Sequence, residues 1–83
     1  MRIKVLFFGA TAAETGTREL SWDAEEGMMS IDLKNAIFAE YPTLGSKDRQ
    51  NALHMSVNRE YASGDEILSE GDEVALFTAV SGG

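Results

Sequence analysis

Eighty-three residues, 43% of them hydrophobic, with a net charge of -7 and no cysteine, describe one small acidic domain. Such a chain should expose about 4,900 Å² folded against about 13,000 Å² unfolded, which leaves one modest core and no room for a separate catalytic domain. The acidic balance opposes nucleic acid and anionic membranes and favours a basic protein partner, while the missing thiols exclude a disulfide, a thiolate metal site and a side-chain sulfur cargo.

The opening segment, Met1 to Phe8, begins with a positive charge, but its apolar run is short and has no small-residue cleavage site, so it does not read as a signal peptide. No stretch approaches the ~18 apolar residues of a membrane span, and a soluble cytoplasmic protein is expected. From Arg2 to Phe8 the pattern alternates, with Ile3, Val5 and Phe7 on one face and Lys4, Leu6 and Phe8 on the other, which predicts a strand. Thr11 and Glu14 have capping-box spacing for a short helical turn that Gly16 would end. Arg18 to Trp22 alternates again and predicts a second strand. Ser30 is placed to cap a helix through Tyr41, with Leu33, Ala36, Ile37 and Tyr41 on one stripe, Asp32 in the first turn and Pro42 closing it. Residues 43–52 are polar and mixed and read as a loop with room for one turn of helix. His54 to Asn58 predicts a third strand, and Glu70-Gly71-Asp72 is a turn signal before a last strand from Glu73 to Val80.

The order strand, strand, helix, strand, strand, with one helix able to cover one face of a mixed sheet, predicts an α+β fold of the β-grasp type in a single domain spanning residues 1–83. If the helix covers the face that holds Ile3, Val5, Val74 and Leu76, then Phe8 and Phe77 are left on the open side. Ser81-Gly82-Gly83 follows the last strand, and two glycines in succession arise by chance at a given position in roughly 0.5% of chains. Without a Cβ they let another protein approach closely, so a bare carboxylate there is a handle for acyl chemistry.

Other features carry less. His54, the only histidine, has no Asp, Glu or Ser in triad spacing and reads as structural or surface. The acids Asp65, Glu66, Glu70, Asp72 and Glu73 lack calcium-loop spacing and read as a solvated turn, so no metal site is expected. Met28 and Met29 read as packing residues, and Gly9 and Gly16 do not make a phosphate-binding loop, so a nucleotide would have to be held by a partner.

The opening Ile3-Lys4-Val5-Leu6-Phe7-Phe8, the turn at Val57-Asn58, the segment Glu70 to Ala75 and the end from Phe77 to Gly83 together resemble the small, sulfur-carrying subunits of molybdopterin synthase, ubiquitin-like β-grasp sulfur carriers, over nearly the full length. Many members of that family have two prolines where this chain has Thr78 and Ala79. The resemblance implies that the carboxyl of Gly83 is adenylated by a ubiquitin-activating-like adenylyltransferase using ATP and magnesium, and is then converted to a thiocarboxylate. It implies Gly82 and Ser81 as the slender tail, within a flexible segment 78–83, and no cofactor bound by this chain itself. Phe77 to Gly83 could reach at most about 20–25 Å into a partner's channel. It further implies a heterotetramer with a large subunit, which holds the pterin precursor and the catalytic groups, and an apolar docking patch of Phe8, Tyr61, Phe77 and Val80. The same chemistry would serve a carrier for thiamin synthesis, tRNA thiolation or lysine conjugation, and a non-covalent β-grasp interaction module is the alternative from another class.

Overall fold

A computed structural model describes residues 1–49 and 53–78, the side chains of 47–49 apart. Eight elements run in the order β1 (Arg2–Phe7), α1 (Ala10–Thr15), β2 (Glu19–Asp23), α2 (Ser30–Glu40), α3 (Pro42–Arg49), β3 (Leu53–Val57), β4 (Glu60–Tyr61) and β5 (Glu73–Thr78). The five strands form one sheet in the order β2-β1-β5-β3-β4. β1 and β5 are parallel neighbours at its centre, and all other pairs are antiparallel. The mixed sheet with its helices is the β-grasp architecture that the element order predicted.

Alternation sorts the strands into two faces. Ile3, Val5 and Phe7 of β1, Val74 and Leu76 of β5, and Leu53 and Met55 of β3 turn to one side and are buried there with Leu33 and Ile37 of α2. The helix stripe also held as read: Ala36 and Tyr41 are half-buried beside those two leucine-type anchors, and the Tyr41 ring meets Phe7 edge-on at 5.8 Å. β5 is buried on both faces from Val74 to Leu76, as a central strand requires.

Two local readings are corrected by long-range contacts. Thr11 does not cap α1, whose N-cap is Gly9; its hydroxyl is buried and lies 2.8 Å from the carbonyl oxygens of both Phe8 and Leu76, tying α1 to the central strand. Gly16 does end that helix, in the left-handed conformation at φ 76°. Ser30 does not cap α2 either. The N-cap is Met29, whose N–H donates to the Asp32 carboxylate at 3.0 Å, while the first helical N–H groups are met by the chain just before β5: Ser30 N–H donates to Glu66 O at 2.8 Å and Ile31 N–H to Gly64 O at 3.0 Å.

Residues 43–49, read as a loop with room for one turn of helix, belong to the eight-residue helix α3. Pro42 ends α2 by holding Tyr41 out of helical angles, at φ -127° and ψ 78°, and then opens α3 at the position where its missing N–H costs nothing. Leu44, fully buried, pins α3 to the core. The two-residue strand β4, absent from the sequence reading, follows a hairpin turn in which Asn58 and Arg59 both have positive φ, 51° and 71°, the requirement of a tight hairpin that matches strand twist. Thr78 lies in β5 opposite Leu53, as the strand read from Glu73 to Val80 expects, although the tail segment 78–83 implied by the resemblance also begins there.

Candidate functional site

The face of the sheet turned away from α2 is built from the alternate residues of the same strands. Leu6 of β1 lies opposite Ala75 of β5, Ala75 opposite Ser56 of β3, and Ser56 opposite Tyr61 of β4, so one row crosses four strands. Ala75 and Ser56 are small and buried in the middle of this row. They make a low floor between taller side chains.

Phe77 and His54, directly opposite each other on β5 and β3, share the face with Tyr61. The three rings form a closed cluster: His54 to Phe77 is 5.7 Å at 31°, His54 to Tyr61 is 5.8 Å at 78°, and Tyr61 to Phe77 is 5.8 Å at 54°. Each separation lies in the range where offset or edge-on rings attract. Tyr61 nevertheless remains 75% exposed and Phe8 52% exposed, which is unusual for large apolar side chains unless another surface covers them. The structure thus brings Tyr61 and Phe77 into contact. Phe8 stands just past the end of β1, its N–H donating to Leu76 O at 3.1 Å, outside the ring cluster. His54, read from sequence as structural or surface, is the third ring of the cluster; the alternation of β3 signalled that it faced away from Met55, but only the pairing with β5 set it against Phe77.

The rim is charged. Lys4 pairs with Glu19 at 4.0 Å and Arg59 with the half-buried Glu73 at 3.9 Å, long solvent-facing pairs that contribute little to stability. Asn58 fastens the hairpin to the start of β5: its side-chain amide donates to Asp72 at 2.9 Å, its side-chain oxygen accepts Glu73 N–H at 3.0 Å, and its own N–H donates to Glu73 O at 2.7 Å. Two of the segments on which the family resemblance rests therefore hold each other.

The acidic turn before β5 also has a structural job. Glu70 accepts Arg2 N–H at 2.9 Å and Asp72 accepts Ser69 N–H at 2.8 Å. Glu66 accepts the Ser30 hydroxyl at 2.5 Å, Ser63 N–H at 2.7 Å and Gly64 N–H at 3.0 Å. Those donors, the Ser30 hydroxyl first, hold its carboxyl down at about 2. Among the described residues no group of three acids and histidines is placed to hold a metal ion. Val80, Ser81, Gly82 and Gly83 lie outside the described residues.

Comparison with known proteins matches residues 5–83 to the ThiS family. The molybdopterin synthase sulfur carrier subunit of Chlamydomonas reinhardtii is 34% identical over 85 residues, covering the whole of both chains. Among solved structures, SAMP1 of Haloferax volcanii superposes with a TM-score of 0.86 at 28% identity over the whole of both chains. A putative molybdopterin converting factor subunit 1 from Pyrococcus furiosus gives 0.86 at 27% identity, over 96% of this chain and 99% of the other. No helix among the described residues is long and apolar enough to cross a membrane.

Proposed function

This chain belongs to the ThiS family, and from that premise we propose that it is the sulfur carrier of molybdopterin synthesis, a β-grasp body that presents a terminal glycine carboxyl to other proteins. The observation that supports this most is the end-to-end likeness to a molybdopterin synthase sulfur carrier subunit, together with a family match that runs to residue 83.

The chemistry follows from what a carboxylate lacks. It is a poor electrophile, so an adenylyltransferase of the ubiquitin-activating kind, holding ATP and magnesium, joins the Gly83 carboxylate to the α-phosphate of ATP and releases pyrophosphate. A sulfide-level donor then attacks the acyl carbon, AMP departs with the electron pair of the C–O bond, and a thiocarboxylate remains. In the large subunit that sulfur passes to the pterin precursor. A dithiolene needs two sulfurs and each carrier brings one, so carriers must be recharged or exchanged. Gly82 and Ser81 are slender enough to enter a channel, and Phe77 and Tyr61 of the ring cluster serve, together with Phe8 and Val80, as the docking residues that both partners use in turn. This chain supplies the reacting carboxyl and the grip, and the partner supplies acids, bases and cations. The expected assembly is a heterotetramer.

Incubation with the activating enzyme, ATP, magnesium and a sulfur donor should replace one C-terminal oxygen by sulfur in the intact mass. Unchanged sulfur loading after deletion of Gly83 would refute the mechanism.

A second reading rests on SAMP1 of Haloferax volcanii, a small archaeal modifier protein with this fold over its full length. The same acyl adenylate can be captured by a lysine amine, giving an isopeptide bond. Lysine-linked adducts of this chain in its own cells would establish that route, and their absence beside abundant thiocarboxylate would exclude it.

A further inference from the structure

β2 is an edge strand, with β1 on one side and, among the described residues, no strand on the other. Its register with β1 pairs Leu20 with Val5 and Trp22 with Ile3, and the flanking bonds, Phe7 N–H to Arg18 O at 2.9 Å and Ala24 N–H to Met1 O at 2.7 Å, fix which residues bond inward. Even-numbered residues from 18 to 24 bond to β1. The backbone groups of Glu19, Ser21 and Asp23 therefore point away from the sheet. Of these, Glu19 O accepts the Thr17 hydroxyl at 3.0 Å, and the rest have no protein partner among the described residues.

The side chains of this edge are patterned in the same period. Glu19, Ser21 and Asp23 are exposed, and Leu20 and Trp22 are half-buried against the rim of the core. Exposed Glu25 and Glu26 continue the acidic run beyond Asp23. Three cations lie beside this edge, Arg2, Lys4 and the exposed Arg18, against the four acids Glu19, Asp23, Glu25 and Glu26. Lys4 reaches Glu19 at 4.0 Å, and the Arg2 guanidinium turns to Ser21 Oγ at 3.3 Å.

We propose that the outer edge of β2 is a docking site for an extended segment of a partner protein in which basic and apolar residues alternate. Such a segment would extend the sheet through the outward backbone groups of Ser21 and Asp23. Its basic residues would meet Glu19 and Asp23, and its apolar residues would cover the exposed parts of Leu20 and Trp22. A second copy of this chain is the wrong occupant: β2 against β2 in its central antiparallel register sets Glu19 opposite Asp23 twice, between bodies that each carry a charge of -7. β4 at the other edge has only two residues and offers too short a seat. The site shares no residue with the aromatic cluster and uses none of the tail residues 81–83, so it does not depend on the sulfur-carrier reading.

The test uses the full chain and two short capped peptides, one alternating lysine and valine, the other glutamate and valine. Trp22 is the only tryptophan and sits on the strand concerned, so its fluorescence reports occupancy directly. The lysine peptide should shift it and protect the amide hydrogens of Ser21 and Asp23 from exchange, leaving those of Leu20 and Trp22, already bonded to β1, as they were. Binding should weaken several-fold when salt rises from about 0.05 to about 0.3 M. Ser21→Pro removes an outward N–H, a change an edge strand tolerates, and should weaken binding at least tenfold. Asp23→Lys should weaken it several-fold and flatten the salt dependence, and it carries the test should Ser21→Pro not fold. Equal binding of the glutamate peptide, amide changes centred on Phe77 and Tyr61, no response of Trp22, or self-association that Ser21→Pro abolishes would each overturn the proposal.

Discussion

Leu76 and Phe77 are neighbours on β5, yet the first is fully buried beneath α2 and the second is half-exposed among rings on the open face. One face of the sheet is closed by helices and holds the fold together. The other carries large apolar side chains that stay exposed among the described residues. Because alternate residues of the same strands supply both, the closed core and the open face can be changed independently by substituting adjacent positions.

Leu76→Ala is the sharpest way to break that contrast on the closed side. It should destabilise the fold by about 2–5 kcal/mol, read as a lower midpoint of chemical unfolding, because the cavity lies where nothing can relax to fill it. Thr11→Val keeps the shape but leaves the Leu76 carbonyl without its hydroxyl partner, and should cost about 1–2 kcal/mol by the same measurement. Phe77→Ala loses two ring contacts on the open face and should cost only about 1 kcal/mol. Its larger consequence is slower sulfur loading with unchanged circular dichroism, and a loss of stability matching that of Leu76→Ala would erase the distinction between the faces.

The smallest effect is expected away from both faces, at Glu66. Its carboxyl is held at about 2 in the folded chain against an ordinary value of 4.5, so its contribution is present above about 4.5 and is lost as pH falls through about 2. Glu66→Gln should therefore be less stable than the parent at neutral pH, and the two melting curves should converge as pH approaches 2. Curves separated by the same interval at every pH would show that the hydrogen bonds from Ser30, Ser63 and Gly64 do not favour the ionised form.

Periodic features were legible because they are local. The period-2 alternation of β1 and β5 sorted Ile3, Val5, Phe7 and Leu76 from Leu6 and Phe77, and the 3.6-residue stripe of α2 picked out Leu33 and Ile37. Caps were misread for an equally physical reason: Thr11 and Ser30 stand where local caps stand, but their hydroxyls serve Leu76 and Glu66, which lie 65 and 36 residues away in sequence. α3 was read as no more than a single turn because Gly45 and Ser46 weaken its helical signal, and one buried residue, Leu44, anchors it. β4 was too short to show a period.

What the sequence determined alone is parity, meaning which side chains of a strand share a face, together with the acidic charge and the glycines at positions 82 and 83. Only the tertiary structure decided register. That His54 stands opposite Phe77, that Tyr61 completes the ring cluster, and that the outward groups of β2 belong to Glu19, Ser21 and Asp23 all depend on strands far apart in the chain meeting at one offset. Alternation is a property of each strand by itself, whereas an offset between strands is set by the packing of the whole core, and a slip of one residue would exchange the two faces.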